Sequence, residues 1–404
     1  MIKTDRIIIS LICLILVSCV SDRTVCTTEF QAVAESVRSR GVYENYDFDA
    51  EVVNEPAPKG YKPFYISHYG RHGARHINRE WEYDAVAEVL GKASLTPFGQ
   101  EIKAEFDRVY PFLKGRATDL TDVGREQHRR LAQRMYKAWP EVFRGDCHVR
   151  AVSSDVPRCI LSMTTFLNSL EKCSSSIETY ADVNSALVPI LKKKPVVRID
   201  ADKVFYSHFD VEPLYARLFT DVEVAKSLYD VPNFVRSLYY FGAHLPCAGF
   251  NSPLIESAFT DAEASTMAYL DDNKFSHHCG WSEPLNVASS WQLLDDFVSM
   301  ADKDIASGQT AARLRFGHDN TMMPFMALAK LGVFAEAFFE CDNVPMASNL
   351  RWIFARNKTG VVIVKVQYNE SDITPWMQWS EFREFCLGQI GWAKKLLMES
   401  CKEL

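Results

Sequence analysis

Three candidate strands, each followed by polar residues, constrain the fold of this 404-residue chain more than any other feature. Phe64, Tyr65 and Ile66 form a short apolar run within Lys62 to Ser67, bounded by Pro63 and Gly70, and Cys147 to Ser153 and Ala312 to Phe316 are a second and a third candidate strand. The first run predicts a strand buried on both faces, as in a parallel sheet covered by helices. Open sheets of this kind bind ligands beyond the carboxyl ends of their strands, so a site is expected just after these segments.

Helical signals fill the intervals. Thr96 and Pro97 supply a capping hydroxyl and a first-turn proline, with Phe98, Ile102, Phe106 and Val109 following at helical spacing. Thr121 and Asp122 open a second helix, with Leu131, Met135 and Trp139 along one side and Pro140 as its stop. Trp352 to Ala355 and Val361 to Val366 predict a hairpin closed by Asn357-Lys358-Thr359-Gly360. Residues 165–305 are mostly helical in pattern. The expected fold is α/β: a mixed, mainly parallel sheet flanked by helices, built from 63–164 and 306–404, with a largely helical cap inserted over 165–305. Residues 19–62, broken by Pro56, Pro58 and Gly60, read as an irregular arm.

At the N-terminus, Lys3 and Arg6 precede an apolar run from Ile7 to Val17 that is too short to span a bilayer and fits a secretory signal over 1–18. Its end, Leu16-Val17-Ser18-Cys19, resembles the lipobox of bacterial lipoproteins. That resemblance implies lipid attachment at Cys19 and an exported protein, anchored on the periplasmic or cell-surface side of a membrane. Export permits disulfides among the eleven cysteines; removing Cys13 and Cys19 leaves an odd number, so at least one thiol stays free.

The net charge of −7 argues against nucleic acid as a partner. Against that acidic background Arg71, Arg75 and Arg79, with His68, His72 and His76, form a local basic cluster, which predicts an anion site. The histidines are spaced as on a metal-binding helix face, but Gly70 and Gly73 disfavour a helix and the arginines repel a cation. No metal or cofactor is therefore expected. His277-His278-Cys279 lacks a partner motif and reads as loop, and Lys192-Lys193-Lys194 as a solvated basic run.

The residues match the needs of phosphate-ester hydrolysis: a nucleophile in line with the leaving oxygen, cations for the equatorial oxygens, and an acid for the leaving alcohol. His72 suits the first, since a neutral imidazole keeps a lone pair and forms a phosphoryl intermediate. Arg71 and Arg75 suit the second, because guanidinium forks match phosphate oxygens.

Arg71-His72-Gly73-Ala74-Arg75 resembles the R-H-G-x-R-x-P signature of the histidine acid phosphatase family, with Ile77 in place of the final proline. Phe316-Gly317-His318-Asp319-Asn320 resembles the family's late His-Asp pair. The resemblance implies His72 as nucleophile, Asp319 as proton donor, and Arg71, Arg75, Arg158 and His318 as phosphate ligands. Arg150 reads as structural. Within the family the likeness leans toward multiple inositol polyphosphate phosphatases, although their usual late motif, His-Ala-Glu, is here His318-Asp319-Asn320. The implied function is a phosphomonoester hydrolase for small phosphorylated substrates, with inositol polyphosphates such as phytate as one reading and sugar or nucleotide phosphates as the other. A non-catalytic phospho-ligand-binding lipoprotein is the alternative of another class; the presence of His72 speaks against it.

Overall fold

The computed structural model describes residues 40–145, 147–197, 209–279, 283–331 and 344–401, the side chains of 272–279 excepted. The export signal and Cys19 lie outside the described residues, as do the side chains of His277, His278 and Cys279.

Among the described residues eight strands form one mixed sheet. They are β1 (Tyr61–Arg71), β2 (Cys147–Ser153), β3 (Ile177–Asp182), β4 (Ala312–Gly317), β5 (Asn349–Asn357), β6 (Val362–Tyr368), β7 (Ser371–Asp372) and β8 (Met377–Gln378). Their order is β3-β2-β4-β1-β5-β6-β7, with β8 beside β6. The first four run parallel, and β5 turns antiparallel against β1. The three candidate strands become β1, β2 and β4. β1 continues past Ser67 through His68 to Arg71, because each added residue pairs with β4 on one side and most also pair with β5 on the other. The hairpin forms as its turn residues predict: the Asn357 side chain accepts from the Thr359 and Val361 amides, and Gly360 takes a φ of 87°.

The helices used below are α1 (Glu80–Lys92), α2 (Pro97–Val109), α3 (Asp122–Ala138), α4 (Pro157–Glu171), α5 (Val231–His244), α6 (Asp261–Cys279), α7 (Trp291–Ser307), α8 (Asp319–Leu328) and α9 (Trp379–Ser400). Both anticipated caps form, with the Thr96 hydroxyl accepting from Gly99 N at 3.0 Å and Thr121 from Gly124 N at 3.2 Å. One sheet face buries Tyr65, Tyr69 and Trp352 under Leu293, Phe297, Phe325 and Phe382 of α7, α8 and α9. The other buries Ile66, Val149 and Leu314 under Leu131, Met135, Met163 and Phe166 of α3 and α4.

A third core joins α1, α2 and α5: Tyr83, Val86 and Val89 pack with Ile102, Phe106, Phe234, Leu238 and Phe241. Within 63–164, α1 and α2 pack with the inserted helices rather than with the sheet. Conversely, β3 and α7, from within 165–305, pack with the sheet. Helical periodicity marks a buried stripe without naming its partner. β3 escapes notice because it is an edge strand, with Glu178 and Asp182 exposed along it.

Among the described residues Cys147, Cys159, Cys173, Cys247, Cys386 and Cys401 are free thiols.

Candidate active site

The site forms where β1 and β4 end side by side, with Arg71 in register with Gly317. That pairing brings the segment after β1, carrying His72, next to the segment after β4, carrying His318 and Asp319. The His72 amide donates to the Gly317 carbonyl at 3.0 Å, and the two imidazoles lie 5.5 Å apart, nearly perpendicular. β2 ends beside β4, and Ser154 N donates to the Phe316 carbonyl at 3.0 Å; α4 then begins at Pro157, placing Arg158 in its first turn. α8 begins at Asp319 with His318 as its N-cap.

His72 is buried, and its Nδ1 lies 2.9 Å from the Gly73 carbonyl. A carbonyl can only accept, so Nδ1 carries the proton and Nε2 keeps the lone pair. Burial, reinforced by Arg158 and Arg71, holds the His72 pKa well below its usual value, so the ring stays neutral in mild acid. His318 is pushed down to about 3 by burial and by Arg158, against the opposing pull of Asp319. Its Nε2 lies 3.2 Å from Ser154 Oγ and 3.6 Å from Cys159 Sγ.

Three arginines surround this pair. Arg71 is fully buried; its Nη2 donates to the Val42 carbonyl at 3.0 Å, its Nη1 to the Val344 carbonyl, and its Nη2 also lies 2.6 Å from Asp319 Oδ2. Arg75 stacks over the Tyr43 ring at 5.0 Å and donates to the His76 carbonyl at 2.8 Å. Burial lowers the Arg158 guanidinium to about 10, with Arg75 adding to the effect, and it stays cationic at any physiological pH. The Nε of all three arginines is buried with no hydrogen-bond partner. Burial would raise the Asp319 carboxyl, but Arg71, the Asn320 amide and His318 outweigh it and hold its pKa below the usual value. Three cations facing one carboxylate, with donors left over, make an anion cradle.

The loop from Gly73 to Ile77 is held without the family's proline. Gly73 N donates to Ser162 Oγ at 3.1 Å, Ala74 N to Gln127 Oε1 at 2.8 Å, and the Ala74 carbonyl accepts from Thr121 N at 3.0 Å. His76 N donates to the Asp119 carbonyl, and the Ile77 carbonyl accepts from Thr118 N. Ile77 itself is fully buried in the third core. Only glycine fits at two places: a Cβ on Gly73 would lie 2.7 Å from Gly124 Cα, and one on Gly124 would lie 2.7 Å from Ala74 N.

The structure gathers Arg71, His72, Arg75, Arg158, His318 and Asp319 in one place. His68 stays behind on β1, packed between Phe166 and Phe316, and Arg150 stacks on Tyr180 at the sheet edge. Asn320, the other departure from the late motif, donates to the Lys193 carbonyl at 3.0 Å and tethers the lysine run over the start of α8. Lys192 pairs with Asp155 at 3.1 Å and acts on the His318 charge. Sequence reasoning missed Val42, Tyr43 and Val344, which hold the arginines from the arm and from the segment before β5. Two of these contacts use backbone carbonyls, which leave no side-chain signal. Ser154 and Cys159 could have been found from their place after β2.

No family model matches the chain. It is homologous to multiple inositol polyphosphate phosphatase 1 of Gallus gallus, 24% identical over 247 residues, or 54% of this chain and 52% of that protein. The chain thus spans about half the length of the curated relative it matches. In fold it is similar to the Bifidobacterium longum multiple inositol polyphosphate phosphatase solved with inositol hexasulfate, at a TM-score of 0.69 and 18% identity, covering 86% of this chain and 97% of that one. It is also similar to the phytase from D. castellii, at 0.66 and 14%, covering 87% and 84%.

Proposed function

We propose that this chain hydrolyses phosphate monoesters of inositol polyphosphates through a phosphohistidine formed on His72. The observation that carries the reading is the set of three buried guanidiniums, each with an unpartnered Nε, around a neutral imidazole whose Nε2 is free to attack. In the first step Nε2 bonds to phosphorus while the bond to the leaving oxygen breaks. Arg71, Arg75, Arg158 and His318 hold the equatorial oxygens, and Asp319 gives its proton to the departing alkoxide. In the second step water attacks the phosphohistidine, Asp319 takes a proton from that water, and inorganic phosphate leaves with His72 restored.

Asp319 must be protonated for the first step, yet Arg71 keeps it ionised in the free protein. A bound phosphoryl group draws on the same guanidinium and sets negative charge beside the carboxyl, and both effects raise its pKa. The substrate thereby creates its own acid.

The Gallus gallus relative supports inositol polyphosphates as the substrate class, and Lys192 beside the site suits a ligand with more than one phosphate. The lipobox-like Leu16-Val17-Ser18-Cys19 supports export and lipid anchoring at Cys19, which fatty-acid labelling of wild type and Cys19→Ala would test. The substrate test is incubation of purified protein with phytate, sugar phosphates and nucleotide monophosphates, with products resolved by ion chromatography. Preferred loss of phosphate from phytate supports the reading; turnover of only the simple monophosphates overturns the substrate class.

A further inference from the structure

A second polar cavity, of about 370 Å³, lies where the arm, α3 and the end of the sheet meet. Its charged and amide lining comprises Asn54, Arg134, Lys137, Arg351, Gln367 and Glu370. It is separate from the proposed catalytic site. α3 starts there, with Gly124 against Ala74, and Arg134 lies ten residues further along, about 15 Å at 1.5 Å per residue.

The groups lining this cavity are not mutually satisfied. Arg351 is 1% exposed, and its Nε and Nη2 have no hydrogen-bond partner; only Nη1 reaches Glu370, at 3.5 Å. Arg134 Nε also lies 2.8 Å from Glu370, as does Tyr46 Oη at 2.9 Å. One carboxylate therefore faces three cations, Arg134, Lys137 and Arg351, on a chain whose overall charge is −7. Gln367, also 1% exposed, gives both amide hydrogens away, at 3.2 Å to Asn54 and 2.9 Å to Asp372, and its Oε1 accepts from nothing. Asp372 is itself occupied by Lys365, which also binds Asn54 and the Glu55 carbonyl and so is turned to its own partners.

The turn that carries Glu370 adds an independent sign. Asn369 and Glu370 take φ of 47° and 73°, the left-handed pair of a tight hairpin whose second position glycine would fill without strain. A glutamate kept in that conformation is held by its three side-chain contacts, and strain of this kind concentrates at functional positions.

We infer that this cavity binds a small oxyanion that also carries a hydroxyl. The oxyanion takes the free Arg351 donors and Lys137, and the hydroxyl donates to Gln367 Oε1. The volume falls at the low end of the range for small-molecule pockets, about 300–1,000 Å³, and admits either hydrogenphosphate or a short polyol acid. The two share the recognised chemistry and are separated by experiment.

The test is titration calorimetry of the full chain with inorganic phosphate and, separately, with D-gluconate. Wild type, Arg351→Met, Lys137→Glu and Arg158→Met are compared. A binding event that Lys137→Glu weakens by about tenfold or more, that Arg351→Met abolishes, and that Arg158→Met leaves intact establishes the site. The probe bound more tightly names the source, free phosphate or an organic acid. Lys137 is exposed, so its variant decides the matter where Arg351→Met does not fold. Loss of binding in Arg158→Met alone reports only the catalytic site and overturns the inference, as does binding indifferent to Lys137.

Discussion

The Nη2 of Arg71 lies 2.6 Å from Oδ2 of Asp319, joining the residue before the proposed nucleophile to the proposed proton donor across two neighbouring strand ends. Through this pair the charge on Asp319 depends on whether Arg71 is also occupied by phosphate. Asp319→Asn keeps the shape and removes the proton. It is expected to lower turnover of alkyl phosphates by about a hundred- to ten-thousandfold, and of nitrophenyl phosphate, whose leaving group needs little help, by much less. Equal losses on the two substrates, measured as kcat, would show that Asp319 is not the donor.

The same pair fixes the sign of a pH effect. Arg71 depresses the Asp319 pKa in the free protein, and a bound phosphoryl group raises it. Activity that needs protonated Asp319 falls as pH rises through that pKa, so the alkaline limb of kcat/KM, which reports the free enzyme, should lie below the limb of kcat. A separation of about one pH unit is expected from one added neighbouring charge. Coincident limbs in steady-state profiles would separate Asp319 from the substrate's charge.

Gly73 and Gly124 hold the loop that follows His72 against the start of α3 with no room for a side chain. Gly124→Ala forces the two segments apart. It should destabilise the protein by about 1–3 kcal/mol in denaturant unfolding. It should also cut kcat by at least about tenfold, because sub-ångström displacement of a positioned nucleophile is costly. A variant as stable and as active as wild type would mean that the close approach does not position His72.

His128 offers a stability test away from the chemistry. Both ring nitrogens are buried without partners beside Phe166 and Phe316, and burial pushes its pKa from 6.5 down to about 3. Between these values the unfolded chain takes a proton that the folded protein refuses, so this residue's share of stability is lost as pH falls below about 6.5. His128→Leu should remove up to about 1.4 kcal/mol per pH unit from the slope of unfolding free energy across that window. An unchanged slope would mean that the ring already finds a proton partner when folded.

The strands that carry the site were legible by different signs: β1 holds the short apolar run Phe64 to Ile66, while β2 and β4 are brief segments that alternate apolar residues with Arg150, Arg313 and Arg315 and are followed by polar residues. The residues now gathered at their ends, from Arg71 to Asp319, stood in short local motifs that survive without knowledge of the fold. What stayed hidden was relational. Val42 and Val344 contact Arg71 through backbone carbonyls, Tyr43 reaches Arg75 from an arm with no regular pattern, and α1 chooses α5 over the sheet by packing that periodicity does not encode. Where the family signature has proline this chain has Ile77, and the loop is held instead by backbone bonds with Asp119, Thr118 and Thr121 that no local motif announces.

The most direct test of the account is capture of the covalent intermediate. Protein mixed with radiolabelled phosphate ester is quenched in alkaline denaturant, which preserves phosphohistidine, and the labelled peptide is mapped by mass spectrometry. The account predicts label on His72 in wild type and none in His72→Ala. Label on another residue, or turnover by His72→Ala comparable to wild type, would contradict it.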